Sequence, residues 1–136
     1  MANRIFSILG GLVAGAIVIY IVELLSNLVY PAPAGLNPMD PESVKTYIDE
    51  LPLGAFLFIA LAWALGSLAG GFIAGIIYPE QRTKFSIAIG MILMLFGLIN
   101  LLTIPHPAWF WVLGLAVFVP CAYTGALLSK FVGGFD

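Results

Sequence analysis

Four long stretches without a single charge set the terms for this chain. Each ionised side chain at mid-bilayer costs a few kcal/mol on insertion scales, so uncharged apolar runs of about 20 residues read as transmembrane helices. Such runs place spans at about residues 5–30, 53–78, 85–104 and 108–129, with a loop at 31–52 between the first two. They are continuous rather than alternating, and far longer than a barrel strand of about ten residues, so helices are expected rather than strands. Composition agrees: 62% of the residues are apolar and 9% charged, where a soluble domain is usually about a quarter charged. The expected fold is an all-α membrane protein, an up-down-up-down bundle of four transmembrane helices forming one domain over residues 1–136. Spans and connections use up the chain.

A cleavable leader is the competing reading of the first span, because Arg4, an apolar run and Ala32-Pro33-Ala34 resemble its three regions. The uncharged run at 5–22 is 18 residues long, which exceeds the usual leader core, and Glu23 and Asn27 interrupt the would-be cleavage region. A retained anchor is expected. Arg4, Arg82, Lys84 and Lys130 fall on one side of a four-span topology and only Lys45 on the other, so the positive-inside rule puts both termini in the cytoplasm. The 31–52 loop and Pro105-His106-Pro107 then face outward.

Within that loop Tyr30-Pro31-Ala32-Pro33-Ala34-Gly35 should be extended, since proline restricts itself and its predecessor. Asp40 reads as a helix N-cap with Pro41 in the first position and Glu42 in the first turn. Val44, Tyr47, Ile48 and Leu51 recur at helical spacing, predicting a short amphipathic helix that either lies on the membrane or caps the bundle, as a structural connector or as a lid over a ligand site.

Span two carries two ridges of small residues, Ala62, Gly66, Gly70 and Ala74 on one and Ser67, Gly71 and Gly75 on the other. Gly11 and Gly15 repeat the device in span one. Helices in lipid associate by close backbone approach, so these ridges predict helix packing, with span two central between two neighbours, or alternatively a dimer contact. Pro120 should bend span four near Val119. Trp109 and Trp111 mark an interface, and the single Cys121 allows no internal disulfide and reads as a small packing residue.

Eleven of the twelve charges sit in loops or at span ends, and Glu23 is the remainder. It lies seven residues before Tyr30, about 10 Å along the helix at roughly 1.5 Å per residue, inside the hydrocarbon. Such carboxyls face bundle interiors and mark candidate sites. Ser26 and Asn27 share its helix face, and Asn100, Thr103 and His106 belong to the same depth. Two readings follow: Glu23 is uncharged and bonds Asn100 or a backbone carbonyl to fix helix register, or it exchanges protons or binds a cation beneath a vestibule with His106 at its mouth. One His and one Glu do not make a metal site, so no metal and no cofactor are expected. Phosphate-binding, hydrolase and paired-cysteine motifs are missing from the sequence. A net charge of −2 with dispersed basic residues argues against a nucleic-acid partner.

Glu23, the Tyr30–Gly35 turn, Asp40-Pro41, Ala62-Trp63-Ala64-Leu65-Gly66, Gly70-Gly71 and the reversal from Ile104 to Trp111 resemble a widespread group of small four-span bacterial membrane proteins over almost the whole chain. The resemblance implies a bacterial inner-membrane setting and carries no activity. Small multidrug transporters are similar in having four short spans and a glutamate in the first, although Glu23 lies toward one end of its span. Fluoride channels are similar in size. The expected function is that of a small non-enzymatic membrane protein, bathed in lipid and acting by self-association or within a larger membrane complex. The alternative is a proton- or cation-coupled small transporter or channel using Glu23. A third reading is a lipid- or quinone-binding enzyme with Glu23 and His106 as acid and base.

Overall fold

Prolines set most of the helix boundaries. The computed structural model describes residues 1–132, and in it α1 (Ala2–Val29) stops before Pro31. Pro41 opens α2 (Pro41–Glu50), where its missing N–H costs nothing, and the Asp40 carboxylate accepts from the Glu42 N–H at 3.2 Å. Pro52 caps α3 (Leu53–Ile77), and Pro79 begins the short 3₁₀ turn Pro79–Gln81 that leads into α4 (Arg82–Thr103). Pro105 and Pro107 separate α4 from α5 (Ala108–Ala116), which α6 (Phe118–Val132) follows after one residue. Among the described residues there is no strand.

Pro120 breaks the fourth span at Val117, two residues before the expected bend at Val119. The reason is the carbonyl four residues back: Pro120 cannot donate to Ala116, and its ring crowds that oxygen, so α5 ends there. The ladder resumes with the Cys121 N–H on the Val117 carbonyl at 3.2 Å. Together α5 and α6 make one span-length unit, and α1, α3 and α4 are each long and apolar enough to cross a membrane. The chain is thus a four-span helical bundle with an amphipathic helix, α2, in its first loop.

The two ridges of α3 serve two neighbours. On one side a Cβ added to Gly11 would lie 2.8 Å from the Gly70 carbonyl oxygen, and one on Gly15 would lie 2.9 Å from that of Gly66. Only glycine lets α1 lie this near. The Ser7 hydroxyl donates to the Ala74 carbonyl at 2.9 Å and locks the same contact. On the other side a side chain at Gly71 would run into the Ala122 backbone, and one at Gly75 into Ser129, both on α6. Ala62 and Ser67 are fully buried on their ridges. The Ser86 hydroxyl of α4 donates to the Gly71 carbonyl at 2.6 Å. α3 is therefore the central helix, with α1 and α6 on opposite flanks and α4 touching both.

Burial differs from that of a water-soluble bundle. Ser7, Ser67, Ser86 and Ser129 are fully buried, while Leu9, Val13, Ile17, Ile21, Leu24 and Leu28 line an exposed face of α1. Lipid offers large apolar side chains a solvent as good as a protein core, so bulky residues such as these can stay on the surface, while small residues share the interior with Trp63, Phe110 and Phe118.

Candidate functional site

α1 and α4 touch through their first halves, where Gly11 lies against Ile89 and Gly15 against Leu93. Toward the end that carries α2 they enclose a cavity of about 280 Å³. α1 and its C-cap contribute Glu23, Ser26, Asn27 and Tyr30, α4 and its C-cap contribute Asn100 and Ile104, and α3 forms the back wall with Ala55 and Ile59. His106 enters from the α4–α5 reversal, and α2 roofs the space with Tyr47, Ile48 and its C-cap Leu51.

Glu23 reaches this place because it follows Ile19 by one helical turn, and Ile19 packs on Gly66 of α3. Its half-buried carboxyl makes no hydrogen bond or ion pair among the described residues, so the register-fixing bond to Asn100 or to a backbone carbonyl is not formed. Ser26 and Asn27 come to the same cavity as expected from their spacing. Asn100 crosses to it from α4.

Thr103 does not join them. Its hydroxyl donates to the Ile99 carbonyl at 2.7 Å, and the residue borders a neighbouring apolar space instead. Ile104, the extended residue that caps α4, lines the Glu23 cavity as well as the neighbouring space, whereas Thr103 lines only the latter. Two tyrosines that the sequence does not single out as site residues also line the cavity. Tyr30 closes the foot of α1, resting on Gly54 and edge-on to Phe58 at 6.2 Å. Tyr47 belongs to the apolar stripe of α2, and that stripe was its only signal in the sequence.

His106 is fixed by its neighbours. Its Nδ1 lies 2.7 Å from the Ile104 carbonyl oxygen, which can only accept, so that nitrogen carries the proton and Nε2 is left as an acceptor. The ring stacks on Phe110 at 5.1 Å, which in turn packs against Trp63. His106 also borders a second space of about 520 Å³, shared with Lys45, Asp49, Phe56 and Trp109. Burial pushes the imidazole below its ordinary pKa, and the Ile104 bond offsets this only in part. The unfolded chain therefore takes up the proton first as pH falls. Stability contributed by neutral His106 is present above about pH 6.5 and declines as pH drops through that value toward the lower folded pKa. Thermal unfolding between pH 7.5 and 5 should show this decline, and His106→Gln should flatten it; an unaltered pH profile in the variant would count against the arrangement.

The roof is lightly held. α2 has no buried residue, and its one ion pair, Lys45 to Asp49 at 2.8 Å, is internal and faces solvent. Among the described residues no hydrogen bond joins α2 to the four spans; Ile48 and Leu51 attach it by packing against the core. The preceding linker turns at Gly35, whose φ of +90° favours glycine. Of the two settings expected for α2, it takes the one that caps the bundle.

Among the described residues no three His, Cys, Asp or Glu side chains come together, so Glu23 is a single carboxyl in a mixed, uncharged lining. Fold and cavity together define a four-span membrane protein with a roofed polar vestibule at one end of the bundle. Comparisons of the chain with protein-family models, with curated proteins and with solved structures give no match.

Proposed function

We propose that this chain is a small proton- or cation-coupled membrane carrier in which Glu23 is the exchanging group. The supporting observation is the cavity at the α2 end, where Glu23 shares its space with Ser26, Asn27, Asn100 and His106 and has no bonding partner. An intramembrane carboxyl left without a structural bond is an expensive feature. Exchange with a ligand accounts for its position; helix registration does not.

The expected function, action by self-association or within a larger complex, draws on the small-residue ridges. Those ridges are consumed inside the bundle, Gly11 and Gly15 against Gly70 and Gly66, Gly71 and Gly75 against α6, and offer no surface to a second copy. Arg4, Arg82, Lys84 and Lys130 collect at the end opposite α2, so the vestibule faces outward and both termini face the cytoplasm of a bacterial inner membrane.

The test uses proteoliposomes with a trapped pH-sensitive dye under an imposed membrane potential. Proton or monovalent-cation flux is expected in the wild type and should fall to that of protein-free vesicles in Glu23→Gln, which keeps size and hydrogen-bonding capacity but cannot ionise. Flux that is missing in the wild type, or unchanged in the variant, would overturn the reading.

A further inference from the structure

Next to the Glu23 cavity lies a more apolar space. It has a volume of about 520 Å³ and is bounded by Leu36 and Met39 of the linker, Val44 of α2, and Pro105 at the reversal. Lys45 is the charged residue on its border, and that ammonium is paired with Asp49. The polar and apolar spaces meet at Tyr47, Ile48 and Ile104, which line both. Thr103, the last residue of α4, also borders the apolar space, which therefore lies at the end of the span.

We infer that the two spaces form one site for a single-chain amphiphile from the lipid leaflet at the α2 end, its hydrogen-bond-donating head group at Glu23 and its hydrocarbon chain beneath α2 against Met39 and Val44. This rests on the reading of Glu23 as a ligand-facing group and extends it from the coupling ion to a substrate class. Three observations carry it.

The first is size. At about 280 Å³ the polar cavity stands at the lower limit of small-molecule pockets, enough for a head group and too small for a whole lipid. The second is charge. Glu23 is the charged residue lining that cavity, and the nearest basic residue of the roof, Lys45, lies outside it and is already paired. An anionic head would face an uncompensated carboxylate in a partly desolvated space, whereas a hydroxyl or amine donates to it. The third is the partition. Tyr47 and Ile48, two of the three residues between the compartments, belong to the helix that no hydrogen bond ties to the spans. A chain can pass when α2 lifts. A chain coming from the leaflet gains no hydrophobic transfer energy in a second apolar space; that space serves to keep it from water while the head engages Glu23.

The experiment uses the full chain in phosphatidylcholine nanodiscs with three probes that share a twelve-carbon chain bearing a mid-chain diazirine and differ in the head: a primary amine, a vicinal diol and a sulfate. On illumination the amine and diol probes should label Met39, Val44 and Pro105, whereas the sulfate probe should label only the lipid face of α1, around Leu24 and Leu28. Val44→Trp, which fills the chain space, should abolish the α2 labelling. Labelling confined to lipid faces for all heads, labelling beneath α2 that ignores the head, or α2 labelling that survives Val44→Trp would each overturn the inference. The two proposals fail separately: α2 labelling without Glu23-dependent flux removes proton or cation exchange alone, and such flux without α2 labelling removes the amphiphile site alone.

Discussion

Replacing Trp63 with alanine is expected to lower the unfolding free energy of the bundle by about 3 kcal/mol. Trp63 is 4% exposed and ties α3 to three other elements. Its ring stacks on Phe118 of α6 at 5.1 Å, lies 5.5 Å from Phe110 of α5, and fills the space beside Gly97 of α4. Deleting a buried aromatic ring from a water-soluble core costs about 3–5 kcal/mol, part transfer and part cavity. In a bilayer the transfer part is small, because the unpacked ring would face lipid, and the cavity part remains. The estimate therefore sits at the lower end of that range. Leu65→Ala on the same helix is the control, since Leu65 is 39% exposed on the lipid side and should change stability by less than about 0.5 kcal/mol. Reversible unfolding in mixed micelles would measure both; equal effects would remove Trp63 from the core.

Gly71→Leu should be as damaging for the opposite reason. A Cβ there would lie 2.9 Å from the Ala122 Cα and still closer to its carbonyl oxygen, so backbone rather than a flexible side chain would have to move. α3 cannot back away easily. The Gly71 carbonyl holds the Ser86 hydroxyl of α4 at 2.6 Å, and Gly125 of α6 makes the reciprocal close approach to Leu68 and Phe72. Overpacking costs about 1–3 kcal/mol and more where neighbours are fixed, so a loss of about 3 kcal/mol is expected in the same assay. Gly10→Ala provides the contrast. Its new methyl would crowd the Ile77 Cδ1, at the tip of a side chain that can rotate, and meet the Ile73 Cγ2 at an ordinary 3.7 Å, and alanine regains about 1 kcal/mol of helix propensity. A Gly71→Leu protein as stable as Gly10→Ala would show that α3 and α6 do not lie this close.

Much of this packing is legible in the chain because small residues spaced by four form ridges wherever the helix lies. The spacing does not say which neighbour each ridge meets. That Gly66 and Gly70 receive α1 while Gly71 and Gly75 receive α6 follows from the rotation of α3, which long-range contacts set. Pro120 shows the same division on a smaller scale: the residue announces a distortion, and its clash with the Ala116 carbonyl decides that the helix parts at Val117. The candidate site was legible in depth only. Glu23, Ser26 and Asn27 share a helix face by spacing, but Asn100 and Thr103 looked equivalent, and only the position of α4 against α1 admits one and turns the other away.

Sequence alone determined the number of spans, their approximate limits, the capped helix in the loop and the presence of one carboxyl within the apolar zone. These follow from hydropathy, proline geometry and charge, which act residue by residue along the chain. The tertiary structure decided what that carboxyl faces. Lipid and protein interior are similarly apolar, so hydropathy cannot point a helix face inward; glycine-mediated backbone contact between α1 and α3 does, and it leaves Glu23 beside a cavity under α2.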